Sequence, residues 1–499
     1  MAEKNFFKQK TLGITLIVCA SLVLVLTLVL KLWWNENVIG YSSMLPAKET
    51  IAYVEMPEQL TPIVIEKIKE ELDLDWNAKV LPMLEGPVAL ALVKTEKKGS
   101  FLPFLMLNTK YPQSKEVFPF LEEFKNSKRT MKQTGSGTSA IFATDYMAFT
   151  FYGNMVIIST SASALETFNK YQSPLTAHLS SAQDFVQIRK NLNQPFFAYS
   201  KEREIPKSLY AYLSQSLSSA PFLTDAFASV GAAAELRGGT WYGSSYAIPE
   251  KSMPIGTERA YRAQLLQFLP SDFNILLAGQ NLPGQISKIE SLIEEQQKLP
   301  TFKTLFSLIT KDYLGGKFPD EIREMFSKEF AFTVTGDKVL FIAELPEKDA
   351  GTGIEHLRAA IKTAAGTFTP IEREVTLPDG SRAFELVPDP SQVKVFSEQF
   401  EGVEIKSIQF GKRGQTIYDA AVGGKWFLSN DLDLIRKSLL LIKEPGANML
   451  ESKQYKEFLR PILKNPELLG ISSAFGTNFA FSKRTFPDHM ETNFVFVVE

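Results

Sequence analysis

Three histidines, one cysteine and scattered carboxylates are what 499 residues offer for nucleophilic, metal or acid–base chemistry. Nucleophilic catalysis needs an activated Ser, Cys or Thr beside a base. The nearest cluster of suitable types, Gly135-Ser136-Gly137-Thr138-Ser139, lacks G-x-S-x-G spacing and reads as a loop. Cys19 falls inside an apolar run. His178 follows a Pro-bearing loop, His356 lies on a polar helix and His489 lies in a hairpin loop, so each reads as a surface or turn histidine. Zinc needs clustered His and Cys, and the sequence has no such cluster. LGGKF at Leu314–Phe318 lacks phosphate-loop spacing and the Ser or Thr after lysine. Gly351-Thr352-Gly353 has no downstream glycine at fingerprint spacing and reads as a helix lead-in. Asp431 and Asp433 could pair for metal or acid–base work, but N-capping at a strand-to-helix junction accounts for both. Glu122-Glu123 and Glu294-Glu295 read as solvated helix faces, while a glycosidase pair distant in sequence stays open. Lys412–Gly414 and Ser482–Arg484 read as turn charges, too few for a nucleic-acid patch. The sequence nominates no catalytic, cofactor-binding or metal-ligating residue and no cofactor, and the expectation is a protein that is not an enzyme.

The elements around these residues begin with an apolar run of 20 residues, Thr11–Leu30, free of charge. At 1.5 Å per residue it spans roughly 30 Å, the hydrocarbon thickness of a bilayer. Lys31 snorkels, and Trp33 and Trp34 suit the interface. Lys4, Lys8 and Lys10 against Glu3 place the short N-terminal stub, residues 1–10, in the cytoplasm and the rest of the chain outside. No small-residue cleavage site follows, and Val18 before Cys19 does not suit lipoprotein processing, so residues 11–34 read as an uncleaved anchor. Setting aside Lys4, Lys8, Lys10, Lys31 and Glu3 leaves 50 basic and 55 acidic residues, a net of −5. That balance gives no reason to expect nucleic acid. The exported body has no cysteine and is therefore indifferent to redox compartment, and its lack of an Asn-X-Ser/Thr sequon favours a bacterial envelope.

The body reads as an internal duplication, with a first α+β module at 41–250, a second at 256–499 and IPEKSMPIGTER between them. Leu45-Pro46 and Leu269-Pro270 each open a short apolar strand. FYGNMVIISTSASALETF compares with AVGGKWFLSNDLDLIRKS, strand, glycine turn, strand, helix. In this frame Ser161 meets Asp431 and Ser163 meets Asp433, all good N-cap types, and Ser163 with Glu166 fits a capping box. The second module carries an extra stretch, IEREVTLPDGSRAFELVPDP, in which PDG reads as a turn between two strands. Short turns between strands argue for an α+β fold with mainly antiparallel sheets. The chain has 38 Phe, several at period two as in Phe149/Phe151, Phe330/Phe332 and Phe494/Phe496. That reads as one buried sheet face, or as the wall of an apolar cavity.

LPAKETIAYVEM after a membrane segment, EGPVALALV and FYGNMVIISTSASALETF resemble the DUF3352 family of bacterial envelope proteins over most of residues 40–499. The resemblance implies a membrane-anchored exported protein and brings no functional residues with it. The expectation is a single-pass cell-membrane protein, N-terminus cytoplasmic, whose duplicated module binds an envelope protein or aids assembly. A carrier or sensor of a lipid or other apolar ligand is the alternative, and an unrecognised hydrolase the second.

Overall fold

The computed structural model describes residues 40–57, 78, 81–95, 100–110, 132–134, 140–143, 148–173, 175–201, 227–250, 261, 263–285, 325–346, 350–366, 369–378, 380–411, 414–444, 446, 448–464, 466–473 and 477–498. The expected stub at 1–10 and anchor at 11–34, Gly135–Ser139, the Glu122-Glu123 and Glu294-Glu295 pairs, Leu314–Phe318, Lys412-Arg413 and residues 251–259 of the expected linker lie outside these residues. Among the described residues no helix is long and apolar enough to cross a membrane. The fold is α+β with mostly antiparallel sheet. The chain divides into two compact units, Met1–Ser252 with Asp488–Glu491, and Met253–Pro487 with Thr492–Glu499.

Among the described residues of the first unit, ten strands run in chain order: β1 (Thr50–Met56), β2 (Leu84–Lys94), β3 (Phe101–Thr109), β4 (Lys132–Thr134), β5 (Ile141–Ala143), β6 (Ala148–Tyr152), β7 (Met155–Ser159), β8 (Phe196–Ser200), β9 (Phe227–Arg237) and β10 (Thr240–Pro249). They pair antiparallel in the spatial order β10-β9-β8-β1-β2-β3-β7-β6-β5-β4. Alternation puts Tyr53, Ala91, Phe104, Met106 and Ile157 on one face, under helices α1 (Ala162–Tyr171) and α2 (Gln183–Asn191). Phe185 of α2 meets Tyr53, Phe197 and Tyr199 edge-to-face at 5.2–5.7 Å. Gly231 of β9 makes room for the same helix: a Cβ there would lie 2.1 Å from Ile188 Cγ2. Pro46 bridges His178, and the Leu179 amide donates to the Leu45 carbonyl at 2.8 Å, so the Leu-Pro entry is tied to the segment between the helices.

In the second unit β11 (Ile275–Gln280), β12 (Glu329–Thr335) and β13 (Lys338–Glu344) lead into helix α3 (Ala350–Gly366). The hairpin β14 (Pro370–Thr376) and β15 (Arg382–Pro388) forms a separate two-stranded sheet. After it come β16 (Lys394–Phe400), β17 (Val403–Phe410), β18 (Gln415–Val422), β19 (Lys425–Ser429), helix α4 (Leu432–Lys443), β20 (Leu468–Ser472), β21 (Thr477–Thr485) and β22 (Met490–Val498). The main sheet runs antiparallel in the order β21-β20-β11-β12-β13-β19-β18-β17-β16. Gly423 and Gly424 both take positive φ in the β18–β19 turn, the geometry that a two-residue hairpin of matching twist requires. Ile354 and Leu357 of α3 pack on Trp426 and Ala343, and Ala365 on Val393 and Ile408. Pro270 bridges Asn448, and the Met449 amide donates to the Leu269 carbonyl at 2.9 Å.

Two local expectations are corrected. The N-cap of α1 is Ser161, whose Oγ accepts from the Ala164 amide at 3.2 Å; Ser163 lies inside the helix, so there is no capping box with Glu166. The strand ends at Ser159, which brings the cap two residues earlier than the capping-box spacing predicts. Ser482–Arg484 is not a turn but lies within β21, where the buried Ser482 hydroxyl donates to the Ile462 carbonyl. Its polar residues read as a turn because a hydroxyl satisfied by tertiary contact leaves no mark in sequence.

Candidate binding site

The residues singled out for chemistry are dispersed. His178 is half-buried at the bridge to Pro46, and His356 is exposed on α3. His489 stacks on Tyr246 at 4.6 Å between two exposed carboxylates, Asp488 at 2.8 Å and Glu491 at 3.4 Å. Asp431 Oδ1 accepts the Leu434 amide at 2.9 Å and Oδ2 pairs with Lys338 at 2.7 Å, whereas Asp433 points at Arg436 from 3.9 Å. These two carboxylates have separate partners: Asp431 is the helix cap, whereas Asp433, expected as a cap as well, lies within the first turn of α4 because the helix begins at Leu432. Burial pushes Asp431 up, but Lys338 and the Leu434 amide outweigh it and hold it below the usual carboxylate range. Gly353 lies in α3 itself, where a Cβ would press 2.5 Å from Met325 Sδ; it is a packing glycine. Among the described residues no group of three or more His, Cys, Asp or Glu is placed to hold a metal ion.

The structure assembles a different group, in the second unit. Glu355, Arg358, Ala359 and Lys362 follow the i, i+3, i+4, i+7 spacing and share one face of α3. That face lies over Val395 of β16, Lys406 and Ile408 of β17 and Asp419 of β18, enclosing a pocket of about 220 Å³. Register explains the floor: Val395 faces Ile408, and Lys406 faces Asp419, on one side of the sheet. Arg358 reaches Asp419 Oδ2 at 2.7 Å and Glu355 Oε1 at 2.6 Å, and Lys406 shares Glu355 at 3.1 Å. The Trp426 indole donates to Asp419 Oδ2 at 3.1 Å. Hydrogen bonds from Arg358 and Lys406 hold the Glu355 carboxyl below its usual range. Three cations face two carboxylates, so the pocket carries a net positive charge.

Two features of the second unit leave large apolar side chains exposed. β16 pairs only with β17 among the described residues, and along it Val395 is 49% and Phe396 54% exposed. The β14–β15 hairpin pairs Glu374 with Phe384 and Glu372 with Leu386 on one face, where Phe384 is 73% and Leu386 66% exposed. Its stem is fixed at the end of α3: the Asp389 and Thr369 amides donate to the Gly366 carbonyl at 3.2 and 3.1 Å. IEREVTLPDGSRAFELVPDP is thus the hairpin that its PDG turn predicts, with Gly380 at positive φ.

Buried polar networks also occur in the first unit. Arg189 of α2 pairs with the buried Glu55 of β1 at 2.7 Å, and the Tyr53 hydroxyl donates to Glu55 at 2.5 Å. Burial pushes Glu55 up, against the pull of Arg189. Asp184 accepts from Tyr199 at 2.5 Å and from Ser229, and these bonds outweigh its burial and lower it. In the second unit burial pushes Glu329 up to about 7 although the Leu265 amide donates to it at 2.7 Å. None of these residues carried a motif. The helix spacing of Glu355, Arg358 and Lys362 was the one readable trace, while Lys406 and Asp419 meet only through strand register.

No protein-family profile and no curated relative matches the chain. Among solved structures, crystal form III of TP0453 aligns at TM-score 0.30 with 11% identity, over 46% of this chain and 85% of that one. Crystal form I aligns at 0.29 with 9% identity, over 44% and 83%. Likeness at this level says nothing of function.

Proposed function

We propose that this is a non-catalytic, membrane-anchored extracytoplasmic protein, built from two copies of one α+β module, that binds a partner or aids assembly in a bacterial envelope. The observation that carries the binding role is the β14–β15 hairpin, whose Phe384 and Leu386 lie exposed on a ribbon outside the main sheet. Adjacent large apolar side chains left in water on such a ribbon form a patch that a partner can cover. Support for duplication comes from strand order: β9-β8-β1-β2-β3-β7-β6-β5-β4 corresponds position for position to β21-β20-β11-β12-β13-β19-β18-β17-β16. The Leu-Pro bridges and the Ser161 and Asp431 caps fall at matching places. The anchor and its orientation rest on Thr11–Leu30 and the lysines before it.

The test is capture from membranes with wild type and with Phe384→Glu/Leu386→Glu. Both residues are exposed, so the variant keeps its thermal unfolding midpoint and loses a reproducible set of cross-linked partners. An identical set from both proteins would sink the hairpin as the docking element.

A further inference from the structure

We propose that the β16 edge and the adjoining α3 pocket form one docking site for an extended, acidic segment of a partner protein, which adds a strand beside β16. This deepens the binding role proposed above and rests on it. An edge strand offers a row of backbone N–H and C=O groups on its open side, and an extended segment can complete the ladder. β16 has seven residues, with β17 as its one ladder partner among the described residues. An added strand places alternate side chains on opposite faces of the sheet. On one face they lie beside Phe396. On the other they lie beside Val395, which lines the pocket and is half exposed, so a side chain on that face enters the pocket from its open flank.

The charge of the pocket selects that side chain. Arg358 and Lys406 share Glu355, and Arg358 also holds Asp419. Lys362 completes the cationic wall, half-buried and in no ion pair among the described residues. A carboxylate arriving there pairs with Lys362 and Lys406 and balances three cations with three anions. An incoming lysine or arginine would face the same cations and be rejected. The backbone ladder therefore supplies length and direction, and the pocket reads one Asp or Glu.

The test is selection from a random library of seven-residue segments displayed on phage, against the full chain in detergent micelles. The expected winners carry Asp or Glu at one fixed position and apolar residues at alternate ones. A synthetic copy of the best segment should bind Lys362→Glu at least tenfold more weakly, and that variant should select Lys or Arg at the same position. Lys362→Gln, with an intermediate loss, guards against misfolding, as does an unchanged unfolding midpoint. Methylating alternate amides of the segment gives two complementary sets; one should abolish binding and the other leave it intact. Winners without an acidic position, equal binding of both methylated sets, or free glutamate binding as tightly as the segment would overturn the proposal. So would self-association lost in Lys362→Glu, which would assign the edge to a second copy. Phe384→Glu/Leu386→Glu should leave selection unchanged, so failure here is separable from failure of the hairpin reading.

Discussion

At the scale of single residues, the buried carboxylates set the expectations. Glu55 is buried beside β2 and β8, and Arg189 supplies its compensating charge. Arg189→Met removes that charge and should cost about 3 kcal/mol in urea unfolding, because a buried ion without its partner is expensive. Glu55→Leu/Arg189→Met should recover most of the loss; a double variant as unstable as the single one would contradict this account. Glu329 behaves differently. Its folded value of about 7 stands above the ordinary 4.5, so the native state holds the proton more tightly than the unfolded chain. Its contribution is whole below the unfolded value and drains away as pH rises through about 7. Unfolding free energy should therefore fall by up to about 3 kcal/mol between pH 5 and pH 8. Glu329→Gln should flatten that window; an unchanged slope would mean that another group titrates there.

At the scale of elements, caps and close approaches decide. Asp431→Ala and Ser161→Ala each remove the acceptor of one helix-start amide and should each cost about 1 kcal/mol. Ser163→Ala should cost under about 0.5 kcal/mol, and this separates the observed cap from the box that the sequence suggested. Gly231→Ala should destabilise by about 2 kcal/mol, because α2 would have to lift from the sheet at Ile188. Gly231→Ala/Ile188→Ala should regain part of it, read by the same unfolding measurement. The sequence foretold α3, α4, the glycine turns and the hairpin, since each is coded by local spacing. Which face of α3 would meet which strand was not legible, because Glu355 meets Lys406 51 positions away and Arg358 meets Asp419 61 positions away.

At the scale of the whole molecule, the proposed tether predicts localisation. Full-length protein should sediment with membranes, and removal of residues 1–34 should release the body to the soluble fraction. Protease added outside intact spheroplasts should degrade the body; full protection would overturn the orientation drawn from Lys4, Lys8 and Lys10. The two compact units each hold their own helix-covered sheet face, so substitutions at Arg189 and Glu329 act in different units.

The sequence by itself determined the antiparallel α+β character, a capped start for α4 and the 370–388 hairpin. Each depends on neighbours within one turn or one strand, where period and turn chemistry are written directly in residue order. The tertiary structure alone decided that Lys406 stands opposite Asp419 under Arg358, that Glu55 meets Arg189, and that Val395 and Phe396 lie on an open edge. Strand register and helix docking bring those groups together across long stretches of chain, and no spacing between them records the encounter.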